Sequence, residues 1–142
     1  MKLSTKSRYG TRFILDLVQQ KDKGAIQLSD ISKRQNISLK YLEQIIIPLK
    51  KANYIRGIRG ARGGYVLIKS PEEITVGEIV KLLEGGTEIC VCCDNPKACK
   101  KAKTCLTRQV WIDAAGAFFE KLNSITFSDL VKVSKNKIGR IS

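Results

Sequence analysis

Histidine is absent from all 142 residues. That absence removes the commonest general base, every Ser–His or Cys–His nucleophile pair and the Cys/His zinc-finger patterns. Acidic residues are scarce, 13 against 26 Lys/Arg, and no acidic pair stands beside a nucleophile or a cofactor loop, so an enzyme is the weakest reading. No apolar run reaches the ~18 residues needed to span a bilayer. The opening Met1-Lys-Leu-Ser-Thr-Lys-Ser-Arg-Tyr-Gly10 leads into an amphipathic segment rather than a signal peptide, which predicts a cytoplasmic protein with no membrane partner. Hydrophobic residues make up 43% of the chain, enough for one core that does not depend on disulfides.

Positive charge is plentiful and unevenly spread. Residues 1–70 hold 15 Lys/Arg against 4 Asp/Glu, whereas residues 71–142 hold 11 against 9. The first half is therefore the candidate for contact with phosphate, where neutralisation releases counterions. An anionic membrane is the rival partner, but these basic residues punctuate globular elements rather than line one amphipathic helix.

The periodicity predicts a mainly α fold with a small β-wing, organised as a winged helix-turn-helix over 1–70 and a cysteine-loop sensor with a long C-terminal helix over 71–142, together one compact unit. Ser4 or Thr5 caps a first helix to about Gln20, with Tyr9, Phe13, Ile14, Leu17 and Val18 on one face. Ser29 opens a short helix, Asp30 to Gln35, closed at Asn36. Ser38 then caps a third, whose buried stripe is Leu42, Ile45, Ile46 and Leu49 and whose backbone Pro48 should loosen. Two short strands around Gly60, Gly63 and Gly64 form the wing. Thr75 caps a helix from Val76 to about Glu84, stopped by Gly85-Gly86. A long helix from Leu106 to about Asn123 carries two apolar stripes, Leu106/Val110/Ala114/Ala117 and Trp111/Ala115/Phe118/Leu122, broad enough for a partner helix as well as the core. Thr126 caps a last helix to Val133, followed by a basic, frayed tail.

If the third helix enters a major groove, Gln44 suits adenine and Glu43 the cytosine amino group, while Lys40 and Tyr41 meet phosphate or a thymine methyl. Arg59 and Arg62 reach the backbone or the neighbouring minor groove, and Lys6, Arg8 and Arg12 add phosphate contacts.

All five cysteines, Cys90, Cys92, Cys93, Cys99 and Cys105, fall within sixteen residues. Thiolates select soft metals and iron–sulfur clusters, and in a reducing compartment clustered thiols point to metal or redox chemistry. The six-residue steps from Cys93 to Cys99 to Cys105 do not match a C-x2-C zinc knuckle and fit a wider embrace. Lys97, Lys100, Lys101 and Lys103 favour thiolate and offset the negative charge of a thiolate-ligated group. A zinc site in a DNA-binding protein, a metal-free thiol switch and a small electron carrier are the alternatives.

Five segments together resemble the winged-helix iron–sulfur regulators typified by IscR and NsrR: the opening ten residues, Ile37-Ser-Leu-Lys-Tyr-Leu-Glu-Gln44, Ile58-Arg-Gly-Ala-Arg-Gly-Gly-Tyr65, Ile74-Thr-Val-Gly-Glu78, and Cys99 to Cys105 followed by Leu-Thr. The resemblance spans about 1–133. It implies a homodimeric DNA-binding regulator, a repressor, whose long C-terminal helix dimerises. It also implies an iron–sulfur cluster, 2Fe-2S in preference to 4Fe-4S, on Cys93, Cys99 and Cys105. In such relatives a fourth ligand is a histidine three residues after the last cysteine, or an aspartate near the N-terminus. Arg108 and Arg8 stand there in this chain, which leaves Cys92, Cys90, Asp94 or Glu43 as fourth ligand, with Cys92 preferred among the loop residues. Nitric-oxide or thiol-redox sensing is the alternative within regulation.

Overall fold

A computed structural model describes residues 2–141, and side-chain surroundings for residues 2–136. The elements run α1 (Thr5–Gln19), α2 (Leu28–Gln35), α3 (Leu39–Lys51), β1 (Ile55–Ile58), β2 (Gly64–Leu67), α4 (Val76–Glu84), α5 (Val91–Asp94), α6 (Leu106–Asn123) and α7 (Phe127–Ile141). Short 3-10 turns at Lys21–Lys23 and Pro96–Ala98 complete the order.

Local chemistry accounts for most boundaries. Ser4 Oγ accepts the Ser7 N–H at 3.0 Å and Ser38 Oγ accepts the Tyr41 N–H at 3.2 Å, each satisfying a helix-start donor that would otherwise lack a partner. Thr75 and Glu78 form a reciprocal capping box at 3.1 and 2.8 Å, and Thr126 and Asp129 repeat it at 3.1 and 3.0 Å. Asn36 ends α2 in the left-handed conformation at φ 52°.

Two details differ from the sequence expectation. α2 starts at Leu28 instead of after Ser29, because the Gln27 carbonyl already receives the N–H groups of Asp30 and Ile31. Ile26, one residue earlier, is fixed by a bridge to Tyr65, so tertiary pairing sets where the helix begins. Pro48 lies late in α3, where the sequence places it, and the helix continues past it to Lys51. α7 runs past Val133 to Ile141, across the lysine-bearing stretch expected as a tail. Side chains of the expected basic tail from 137 onward lie outside the described residues.

The core is one cluster. Phe13, Ile14, Leu17 and Val18 of α1 join Ile31 of α2, Leu42, Ile45, Ile46 and Leu49 of α3, Ile79 and Leu83 of α4, and Phe127 of α7. α4 lies close to its neighbours on both sides. A Cβ at Gly10 would collide with Leu83, and one at Gly77 would collide with Asn123. The segment ahead of α4 is further tied to the α6–α7 corner by Val76 N–H to the Ile125 carbonyl at 2.9 Å and Phe127 N–H to the Ile74 carbonyl at 3.0 Å.

One buried charge orients the helix-turn-helix. Asp16, 1% exposed, accepts from Arg34 Nε at 3.0 Å, Arg34 Nη2 at 2.7 Å and Gln35 Nε2 at 2.9 Å. This fork bolts α2 to α1, and the hydrogen bond to Asp16 is the first reason the Arg34 guanidinium is held above its ordinary pKa.

Candidate functional site

Burying Leu42, Ile45, Ile46 and Leu49 turns the other side of α3 outward. Lys40, Glu43, Gln44 and Ile47 are all exposed, at the i, i+3, i+4, i+7 spacing of one helix face. Ile47, 66% exposed, ends this face with an apolar surface that the sequence does not single out as a contact. Tyr41 is half-buried, its ring edge-on to Tyr9 with centroids 5.6 Å apart.

Around the same end of α1 the basic residues divide. Arg8 is exposed and bonds only its neighbour Thr5 Oγ1, at 3.3 Å, and Lys6 is half-buried. Arg12 is engaged within the chain: its Nε donates to Gln35 Oε1 at 3.2 Å, its Nη2 to the Gln35 carbonyl, and its guanidinium lies 5.4 Å from the Tyr9 ring centre.

The wing is a two-stranded antiparallel ribbon with Ile55 opposite Leu67, Arg56 opposite Val66, Gly57 opposite Tyr65 and Ile58 opposite Gly64. Gly60, at φ 110°, and Gly64, at φ 149°, hold backbone angles that other residues rarely adopt, and a Cβ on Gly63 would strike the Ile58 carbonyl. Arg59 and Arg62 are exposed beside this tip. Arg56, also exposed on β1, belongs with them; its spacing of three from Arg59 in one run was the available signal.

The cysteine loop contains more local order than an open loop. Cys90, the N-cap of the one-turn α5, and Cys93, within it, are paired as a disulfide, their Cα atoms 5.6 Å apart. Cys92 Sγ lies 3.6 Å from Cys90 Sγ, and the three sulfurs sit within 4.8 Å of one another. Cys99 is exposed at the end of the 3-10 turn, and Cys105 is the half-buried N-cap of α6; both stand outside that group. A hydrogen bond with the Thr107 hydroxyl, then one from the Arg108 backbone, push the Cys105 thiol below its ordinary pKa. Glu88 is pushed above the usual carboxylate range by its hydrogen bond with Asp94 and by that neighbour's charge. Glu43 stands apart, on the outward face of α3.

The donor set fits a soft metal or an iron–sulfur group. Three sulfurs share one small volume, two of them joined as the Cys90–Cys93 disulfide and able to act as thiolates once it is reduced; two further thiols lie on the same loop, and Lys97, Lys100, Lys101 and Lys103 are all exposed.

α6 carries this loop on one face. Arg108, Ile112, Ala115 and Phe119 are half-buried, at steps of four, three and four, and a cleft of about 280 Å³ between loop and helix is lined by Ile89, Cys93, Asp94, Ile112, Ala115 and Phe119. From α6, Arg108 Nε donates to the Cys92 carbonyl at 2.7 Å and Nη2 to the Cys93 carbonyl at 2.9 Å. The outer stripe of Leu106, Val110, Ala114 and Ala117 is exposed, Leu106 at 88% and Val110 at 55%. No residue of α6 is buried. Among the described residues no helix is long and apolar enough to cross a membrane.

Comparison with known proteins agrees with this geometry. The family profile described as Rrf2, iron-dependent transcriptional regulator, matches residues 3–133. The chain is 43% identical over 132 residues to protein rrf2 of Nitratidesulfovibrio vulgaris, covering 93% of this chain and 88% of that one. It superposes on T. potens IscR with a TM-score of 0.78 at 36% identity, covering 94% of this chain and 88% of the other. The structure of CymR, the global cysteine regulator of B. subtilis, gives a TM-score of 0.75 at 37% identity, covering 94% and 98%. With helix-turn-helix, wing and cysteine loop all inside the matched span, the chain belongs to the Rrf2 family of transcriptional regulators, which includes the IscR type, and is a DNA-binding regulator rather than an enzyme.

Proposed function

We propose that this regulator is a cytoplasmic repressor that binds an operator duplex as a homodimer and reports the state of an iron–sulfur cluster, 2Fe-2S in preference to 4Fe-4S. Residues 1–70 form the DNA-binding region and residues 71–142 the sensor and dimerisation region. Once cellular thiols have reduced the Cys90–Cys93 disulfide, Cys93, Cys99 and Cys105 would be the ligands, with Cys92 as the fourth. Cys92 is a free, half-buried thiol within the sulfur group that contains Cys93. The observation that carries this reading is the position of the thiol loop on the inner face of α6, the helix whose outer apolar stripe nothing covers in the single chain.

A bound cluster supplies thiolate-ligated iron, whose loss or oxidation is the chemical signal. The chain's own residues do the rest. Cys105 begins α6, so the arrangement of the loop fixes where that helix starts. Pairing of α6 with its copy in a second chain sets the distance and tilt between two α3 helices, which must enter major grooves about one helical turn, ~34 Å, apart. Lys40, Tyr41, Glu43, Gln44 and Ile47 meet base edges and phosphates, while Arg56, Arg59, Arg62, Arg8 and Lys6 hold the backbone. DNA affinity changes only in so far as the loop's two states favour different dimer geometries.

A thiol-redox switch is the second reading, favoured by the Cys90–Cys93 disulfide. Metal and acid-labile sulfide analysis of anaerobically purified protein, with its absorption spectrum, separates the two. Iron, sulfide and visible absorbance support the cluster, and metal-free protein whose DNA affinity follows the disulfide supports the switch. On the DNA side, Arg59→Ala and Gln44→Ala should both weaken gel shifts, and unchanged shifts for both would remove the assigned interface.

A further inference from the structure

Arg108 occupies a place where a side chain able to bind metal could reach the loop, and it cannot serve as such a ligand. We propose that Arg108 is instead the positioning residue that carries the state of the thiol loop into α6, by holding the backbone of Cys92 and Cys93 rather than their sulfurs; this rests on the reading that loop state sets DNA affinity.

The geometry is specific. α5 is a single turn, so its last carbonyls have no partner within the helix. Two of them, from Cys92 and Cys93, receive Arg108 Nε and Nη2 at 2.7 and 2.9 Å. A planar guanidinium can donate along two parallel directions at once, and a lysine ammonium cannot reproduce that fork. Among the described residues Arg108 makes no ion pair, so its positive charge is directed at the C-terminal carbonyls of α5, where a helix favours a cation.

Arg108 also begins the inner face of α6 that continues through Ile112, Ala115 and Phe119. The outer stripe lies on the opposite side of the same rigid element. Cys93 takes part in both proposed events, as a cluster ligand and as a disulfide partner of Cys90. Any change that moves its backbone must either break the fork or shift the start of α6. The sulfurs receive the signal and the adjacent carbonyls pass it on.

The test uses full-length protein, anaerobic, in two forms: loaded with ferrous iron and sulfide, and metal-free with thiols reduced. The probe is a labelled duplex selected from a random library by the wild-type protein. Arg108→Gln should keep wild-type iron content and visible absorbance. Its ratio of DNA affinities between the two forms should move toward one by about fivefold or more. Arg108→Lys, which keeps charge without the fork, should give an intermediate ratio and provides a second variant if the first folds poorly. In the metal-free form, amide exchange across residues 91–95 and 106–112 should quicken together in Arg108→Gln. An unchanged ratio in both variants overturns the proposal alone. So does loss of iron comparable to Cys99→Ala, since Arg108 would then hold the site rather than transmit from it. A wild-type ratio of one overturns this proposal together with the function on which it rests.

Discussion

α3 and α6 are both rich in apolar residues and end differently. α3 buries Leu42, Ile45, Ile46 and Leu49 in its own chain, whereas α6 buries nothing, with Trp111 45% and Leu106 88% exposed. Periodicity reveals that a helix has an apolar face, but not which molecule covers it. α3 has one such face, which a single chain satisfies, leaving outward the face of Lys40, Glu43, Gln44 and Ile47 that is proposed to meet DNA. α6 has two adjacent apolar stripes; its own chain half-covers one and leaves the other bare, as expected of a helix completed by a second copy.

The contrast can be broken by substitution. Phe13→Ala, in the completed region, should lower stability by about 3–5 kcal/mol in urea unfolding. If a substitution on the outer stripe of α6 costs the monomer as much, the two regions are not distinct. Val110→Asp should leave helical circular dichroism near wild type while weakening dimerisation by about 2–4 kcal/mol, read by sedimentation. Dimerisation unaffected by that charge would place the interface elsewhere.

Two smaller effects sharpen the same contrast. Asp16→Ala leaves Arg34 and Gln35 without their acceptor and should cost about 1–3 kcal/mol of stability, with metal content unchanged. On the DNA face, Arg59→Ala should weaken binding across sequences and lower the salt slope by about 1, while Gln44→Ala relaxes preference at one base position, both measured by fluorescence titration at several salt concentrations.

What was legible follows interaction range. Ser4, Ser38, Thr75 and Thr126 announce their helices because a cap acts within three residues, and Asn36 and the wing glycines mark turns by their own backbone needs. The true start of α2 was hidden, since it depends on Ile26 pairing with Tyr65 across the fold. The thiol loop was legible as chemistry and less so as geometry. Spacing drew attention to Cys93, Cys99 and Cys105, while the folded loop places Cys93 beside Cys90 and Cys92. Arg108 looked like a missing ligand, and its bonds to the Cys92 and Cys93 carbonyls appear only when residues sixteen and fifteen positions away are brought together.

The most direct measurement compares iron per chain and visible absorbance in anaerobically purified Cys99→Ser and Cys90→Ser proteins. Cys99→Ser should lose both while Cys90→Ser stays near wild type, because the proposed ligands reach across the loop from Cys93 to Cys105. The reverse pattern, iron kept without Cys99 and lost without Cys90, would contradict that assignment and confine the metal to the sulfur group around α5.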